Sequence, residues 1–378
     1  MTTGSLHSPL RKGFNHVDDD MREAVLRALE SRDYYLGPEN DAFEREVSEY
    51  LGVSHAATVN SGTSGMYLIL RAYGLGEGDE VIVPAMGFVT LAEAVAVAGA
   101  KPVFVDVEEA TMNLDSRRIE PAITPKTRAV VPAHKYGHPA EMDAITSIAR
   151  ERGLLVIEDL CHALGAEQRG RKAGTIGDAA FLSFAGKSIS VCGLGGMVVT
   201  NDEELVNEVR LLRDHGRPRA KGERFYDIRR IGYNMRLSEL HAAIGRVQLR
   251  SLDAWNARRR ENAAFYNAEF ARRNLPVETP ETLPGNLHAF LHYTIRVPSG
   301  LRDGLREFLK GEDIESSVLY PLDLHLLKPY RQLCGHEEGD FPTAERLTSE
   351  VLSLPNHPDI TARQIARIVS LVSTFLER

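Results

Sequence analysis

Residues 156–200 read VIEDLCHALGAEQRGRKAGTIGDAAFLSFAGKSISVCGLGGMVVT. An apolar strand ends in Glu158-Asp159, and a second, AAFLSF (179–184), ends three residues before Lys187. Carboxylate and amine are thereby expected at the carboxyl ends of two strands. That pairing suits pyridoxal 5′-phosphate (PLP): the lysine forms a Schiff base with the cofactor aldehyde, and the acid keeps the pyridine nitrogen protonated so that the ring accepts electrons. Taken alone, Lys187 reads equally well as a solvated surface lysine. Its neighbours favour the cofactor, because SFAGKS leaves room for a ring. Gly193, Gly195 and Gly196 then mark a backbone that bends sharply or approaches a ligand closely.

Working outward, short apolar runs alternate with helical stretches. EVIVP (80–84), KPVFVDV (101–107), RAVVPAH (128–134), LLVIED (154–159), AAFLSF and GMVVT (196–200) read as strands, with helices expected near 91–98, 116–122 and 142–152. Such runs predict an α/β fold whose mostly parallel sheet is covered on both faces. Ligands of these sheets bind outside the carboxyl ends of the strands. Asn60, Phe88, His134, Asp159 and Lys187 all fall at or just past such ends, so one shared site is expected. HAATVNSGTSG (55–65) reads as a strand, a loop of small and hydroxyl residues and a helix start, an arrangement that presents backbone N–H groups to an anion.

Upstream, helices are expected over 18–31, with Met21, Val25, Leu26 and Leu29 on one face, and over 40–51, with Gly37-Pro38 as a breaker. Downstream, DHGRPRAKGERF (214–225) reads as a mobile or interface loop. A charged helix is expected around 255–272. Beyond residue 274 a strand (288–297) and helices (302–310, 343–352, 361–376) form a smaller α+β part. The expected division is a large domain with an N-terminal arm over 1–250 and a small C-terminal domain over 251–378.

The chain has 378 residues, 43% hydrophobic and 26% charged, with a net charge of −8. That composition is ordinary for a globular protein and offers no attraction for nucleic acid or membrane. Three scattered cysteines, Cys161, Cys192 and Cys334, suit neither a disulfide framework nor a metal site. No apolar stretch near the N-terminus reads as a secretory signal, so a cytoplasmic location is expected.

The blocks YYLGPE (34–39), NSGTSGMYL (60–68), GDEVIVPAMGF (78–88), KPVFVDV, the 156–200 stretch, RDHG (213–216) and IGYNMRLSELHAAIG (231–245) together resemble the DegT/StrS-type nucleotide-sugar aminotransferases. The resemblance runs from about Tyr34 to LSLPNHPDI (352–360). It implies PLP fold type I, with a seven-stranded large-domain sheet. It makes Lys187 the Schiff-base lysine and Asp159 the partner of the pyridinium nitrogen. His162 stands where the family usually has glutamine. Gly62, Thr63 and Ser183 match phosphate-binding positions, and Phe88 matches the residue that stacks on the ring. Asn234 matches the asparagine that reaches the cofactor phosphate of a neighbouring subunit, which implies a homodimer with shared active sites. Arg236, Tyr320 and His325 fall in loops that line the sugar and nucleotide pocket.

Three positions depart from the family pattern: Leu194 in GLGG, where a carboxylate is frequent, His162, and Lys135 with His138 in HKYGHPA (134–140). The implied reaction carries the amino group of an amino acid, L-glutamate in the first instance, to a keto sugar on a nucleotide. A keto-cyclitol acceptor is the alternative within the enzyme class, and a regulatory protein that kept the fold without turnover is the alternative outside it.

Overall fold

A computed structural model describes residues 17–218 and 226–377. The large sheet contains seven strands. They are β1 (His55–Val59), β2 (Glu80–Pro84), β3 (Lys101–Val105), β4 (Thr127–Val130), β5 (Leu155–Asp159) and, after the short hairpin β6 (Glu167–Gln168) and β7 (Arg171–Lys172), β8 (Ala179–Ser183) and β9 (Gly196–Thr200). Their order is β1-β9-β8-β5-β4-β2-β3. Only β9 runs against its neighbours, pairing antiparallel with both β1 and β8. The mostly parallel seven-stranded sheet is therefore observed, and its strands lie within a few residues of their expected positions.

Alternation along the strands sends successive side chains to opposite faces. On β8, Phe181 joins a core with α3 (Gly62–Ala72) and α4 (Thr90–Val97), whereas Ala180 and Leu182 join one with α1 (Asp19–Ser31) and α2 (Pro38–Leu51). Further along the sheet, Val130 and Val156 pack with Ile119 of α5 (Ile119–Ala122) and Ile145 of α6 (Met142–Arg152). After β9 come α7 (Glu203–Leu212) and the 35-residue α8 (Glu239–Arg273).

The C-terminal part pairs β11 (Tyr293–Arg296) with β12 (Val351–Leu354), while β10 (Asn286–Leu287) pairs with β6. Its helices are α9 (Arg302–Gly311), α10 (Lys328–Cys334), α11 (Pro342–Glu350) and α12 (Ala362–Leu376). Ala263, Tyr266 and Phe270 of α8 belong to this core, whereas Ala243, Val247 and Leu252 belong to the sheet's. The division expected at 250/251 falls inside this unbroken helix.

Some local expectations need correction. Pro38 opens α2 rather than breaking the chain, because the buried Glu239 carboxylate accepts N–H groups from Gly37 (2.7 Å), Glu39 (2.8 Å) and Asn40 (3.2 Å) at that helix start. The expected apolar face of α1 is rotated: Met21, Ala24 and Ala28 are buried, whereas Leu26 and Leu29 are exposed. The helix expected over 343–352 ends at Glu350 and gives way to β12. The loop expected over 214–225 lies outside the described residues from 219 onward.

Candidate active site

The carboxyl ends of β1, β5 and β8 surround a cavity of about 340 Å³, lined among others by Gly62, Thr63, Phe88, Asp159, His162, Ser183, Lys187 and Tyr320. At one side α3 begins. Ser61 caps it, its Oγ accepting the Ser64 N–H at 3.0 Å. The first turn of a helix leaves N–H groups without intrahelical partners and carries the positive end of the helix dipole. Gly62 is needed here, since a Cβ at this position would lie 2.9 Å from the Ser183 Cβ. Gly196 is also constrained. A Cβ there would lie 2.4 Å from the Ser61 carbonyl carbon. This glycine thus lets β9 touch the α3 start, and its close approach is to backbone rather than to a ligand.

Asp159 ends β5, held in register opposite Phe181 of β8. Its Oδ1 accepts the Cys161 N–H at 2.9 Å. Burial, together with the neighbouring Asp159, pushes the Cys161 thiol well above its ordinary value, so that group stays neutral. Phe88 leaves the loop after β2 and is 54% exposed. A large apolar ring left uncovered on a cavity wall is not a core residue. Lys187 Nζ lies 5.9 Å from that ring's centroid and 2.8 Å from His162 Nε2. His162 is itself buried, with Nδ1 3.4 Å from the Tyr320 hydroxyl. Burial drives the Tyr320 phenol well above its ordinary value.

Other residues of the lining carried no role in the sequence reading. Thr90 Oγ1 lies 2.7 Å from Thr63 Oγ1 and fixes that hydroxyl. Lys135 is 1% exposed, and its Nζ donates to the Met112 carbonyl at 2.6 Å. Burial lowers its pKa to about 7 against the attraction of Asp323 and Asp159. The signal for Lys135 was its departure from an apolar pattern, but nothing in the sequence showed that the side chain would be enclosed.

Arg236 and His325 do not line this cavity, and Asn234, expected at the cofactor of a neighbouring subunit, lies outside it as well. Asn234 is exposed, and its Oδ1 accepts from Arg236 Nη2. The Arg236 guanidinium also donates to Asp214 Oδ1 at 2.7 Å and lies over the Tyr35 ring at 4.2 Å. His325 is buried against Phe341, 4.7 Å between ring centroids, with Nε2 3.1 Å from Glu345 Oε1. The short turn at 324–326 carries that imidazole into the apolar layer beside Phe104, so it is a packed core histidine rather than a wall of the cavity.

The sequence model of the DegT/DnrJ/EryC1/StrS aminotransferase family matches residues 15–373. The chain belongs to this family. Among its relatives, a protein of Geobacillus stearothermophilus called "Pleiotropic regulatory protein" is 39% identical, covering 97% of each chain. The dTDP-3-amino-3,4,6-trideoxy-alpha-D-glucose transaminase of Streptomyces venezuelae is 39% identical over 98% of this chain and 95% of its own. The crystal structure of S. venezuelae DesV in complex with a ketimine intermediate superposes with a TM-score of 0.90 at 40% identity, covering 95% of each chain.

Membership in the DegT/DnrJ/EryC1/StrS family makes the chain a PLP-dependent aminotransferase of fold type I. The cavity fits that cofactor on its own chemistry. A helix start with hydroxyls suits a phosphate, an exposed ring suits a flat heterocycle, and a carboxylate and an amine face the same space.

Proposed function

We propose that this enzyme moves the amino group of an amino acid, L-glutamate in the first instance, to a keto group of a nucleotide-linked deoxysugar. It works in the cytoplasm as a homodimer with shared active sites. The observation that carries this reading is the convergence of Lys187, Asp159, Phe88 and the α3 start on one cavity. The S. venezuelae relative named as a dTDP-sugar transaminase supports the acceptor class. Tyr226, Ile228 and Ile231, all exposed along the segment leading to Asn234, support a covered surface there. Among the described residues no helix is long and apolar enough to cross a membrane.

In this reading the Ser61, Gly62 and Thr63 turn and Ser183 hold the phosphate, Phe88 covers the ring, and Asp159 keeps the ring nitrogen protonated. When bound, the cofactor supplies an electron-withdrawing ring that accepts the charge left by a departing proton. Lys187 Nζ would anchor the cofactor and, once displaced, would carry the proton of the donor's α-carbon to the cofactor's exocyclic carbon. His162, 2.8 Å from that amine, restrains it where the proton moves. Phe88 and Tyr320 exclude water from the amine.

The test is an absorbance spectrum of the purified protein before and after L-glutamate. Loss of the visible band of the lysine-bound cofactor, with turnover of keto sugars on nucleotides and not of keto-cyclitols, is the expected result. A protein that takes up no PLP, or whose band responds to no amino acid, would overturn the reading and favour a regulatory role.

A further inference from the structure

Lys187 also borders a second cavity, of about 310 Å³, whose lining includes Arg259, His292, Glu315, Asn356 and His357. Arg259 projects from α8 and is 2% exposed. Its Nη1 donates to Asn256 Oδ1 at 2.9 Å, and its Nε has no hydrogen-bond partner. Among the described residues no carboxylate pairs with it, and burial alone displaces its pKa, to about 10. The guanidinium therefore stays charged near neutral pH. Asn356 Oδ1 and His357 Nδ1 in the same lining also lack partners. Glu315 is the one carboxylate there, and it is exposed.

A buried cation without a counter-charge is a standing cost of several kcal/mol, and a chain tolerates it where an anion comes to it. Two buried side chains with spare capacity, Arg259 and Asn356, and the half-buried His357, in a cavity that also borders the reacting lysine, describe a site awaiting a polar ligand. A planar guanidinium matches a carboxylate with two parallel hydrogen bonds. The volume admits an amino acid but not a nucleotide sugar, and the single arginine supplies too little charge for a pyrophosphate.

We propose that this second cavity is the subsite of the amino-acid donor, in which Arg259 holds a carboxylate of the donor while the donor's α-amine faces Lys187. The proposal rests on the transaminase reading above and assigns the donor a place separate from the phosphate-binding side of the first cavity. Arg259 is thus a residue that sets donor recognition.

Its test uses the holoprotein and two probes. The first is the rate at which L-glutamate removes the visible band, measured against donor concentration in the wild type, Arg259→Lys and Arg259→Gln. The half-saturating concentration is expected to rise about thirtyfold or more in the glutamine variant. A smaller rise is expected in the lysine variant, with the acceptor KM unchanged in both. The second probe is glutarate, a dicarboxylate that cannot react. It is expected to bind the wild type by calorimetry, to compete with L-glutamate, and to lose binding in Arg259→Gln. A folded glutamine variant with unchanged glutamate saturation would overturn the proposal. If the variants do not fold, failure of glutarate to compete in the wild type does so. Failure of the transaminase reading looks different, because no amino acid then alters the wild-type band at all.

Discussion

Glu158 and Asp159 are adjacent acids at the end of β5, yet they serve opposite faces of the sheet. Glu158 is fully buried. Its Oε2 accepts from His134 Nε2 (2.8 Å) and the Gly174 N–H (2.8 Å), and its Oε1 from the N–H groups of Ile176 (2.7 Å) and Gly177 (2.6 Å). His134 Nδ1 in turn accepts the Ala140 N–H at 2.9 Å, which fixes the imidazole proton on Nε2. Asp159 lines the first cavity, its Oδ1 taking one backbone N–H. A saturated carboxylate has no capacity left for a ligand and holds loops together. Its neighbour, one pleat away, keeps capacity and faces the amine of Lys187. The difference arises from the two-residue period of a strand, since chemically the two side chains are almost the same.

The contrast is sharpest when each side is broken in turn. On the Asp159 side, Lys187→Ala is expected to lower turnover by at least about 10⁴-fold, since it removes both anchor and proton carrier. Circular dichroism should show the fold retained. Asp159→Asn, nearly isosteric, should lower turnover by roughly 10²- to 10³-fold, as loss of one fixed charge at a reacting centre does. Its denaturant midpoint should stay near the wild type's.

Glu158→Gln should do the reverse. It leaves buried donors without their ionised acceptor, so urea unfolding should show a loss of about 3–5 kcal/mol. Turnover per folded molecule should change only a few-fold. If the Glu158 and Asp159 variants gave the same pattern, the assignment of the two faces would be wrong.

Acid should probe the saturated side selectively. His138 Nδ1 donates to the Pro139 carbonyl at 2.7 Å, while its Nε2 accepts the Leu283 N–H at 3.2 Å. Protonation would set one N–H against another. Burial accordingly lowers the His138 pKa from 6.5 to about 4. A depressed pKa means that its contribution is complete above 6.5 and is lost as pH falls from there toward 4. The amount is on the order of 3 kcal/mol. For Glu158, burial acts to raise the carboxyl, but hydrogen bonds from His134, Gly177 and Gly174 hold it below its ordinary value. That contribution is lost at still lower pH. Thermal melts across this range should show early destabilisation that His138→Gln reduces. The smallest effect belongs to Phe88→Ala, which should weaken cofactor retention by about 0.5–1.5 kcal/mol, read as faster cofactor loss on dialysis.

Much of this was legible in the sequence for a physical reason. Strands buried on both faces must be continuously apolar, so EVIVP and AAFLSF announce themselves, and a polar residue at the end of such a run is conspicuous. That places Asp159 and Lys187. What could not be read depends on contacts between distant segments. The His134–Glu158 pair, the enclosure of Lys135, and the placing of His162 against Lys187 each need two or three strand ends in register. His325 shows the same dependence in reverse: the resemblance alone puts it at the sugar pocket, and only the packing of Phe104 and Phe341 shows that it is enclosed. Only the second half of α8 is legible as a helix, around 255–272, because its two halves pack into different cores and no single apolar stripe runs its length.

That helix spans about 50 Å at 1.5 Å per residue. Ala243 and Leu252 near its start are fixed by the sheet's core, and Tyr266 and Phe270 near its end by the C-terminal core. Neither core can melt without stripping partners from a rod that the other still grips. Cooperativity is therefore built into the connection, and the chain should lose both cores in one calorimetric transition rather than two.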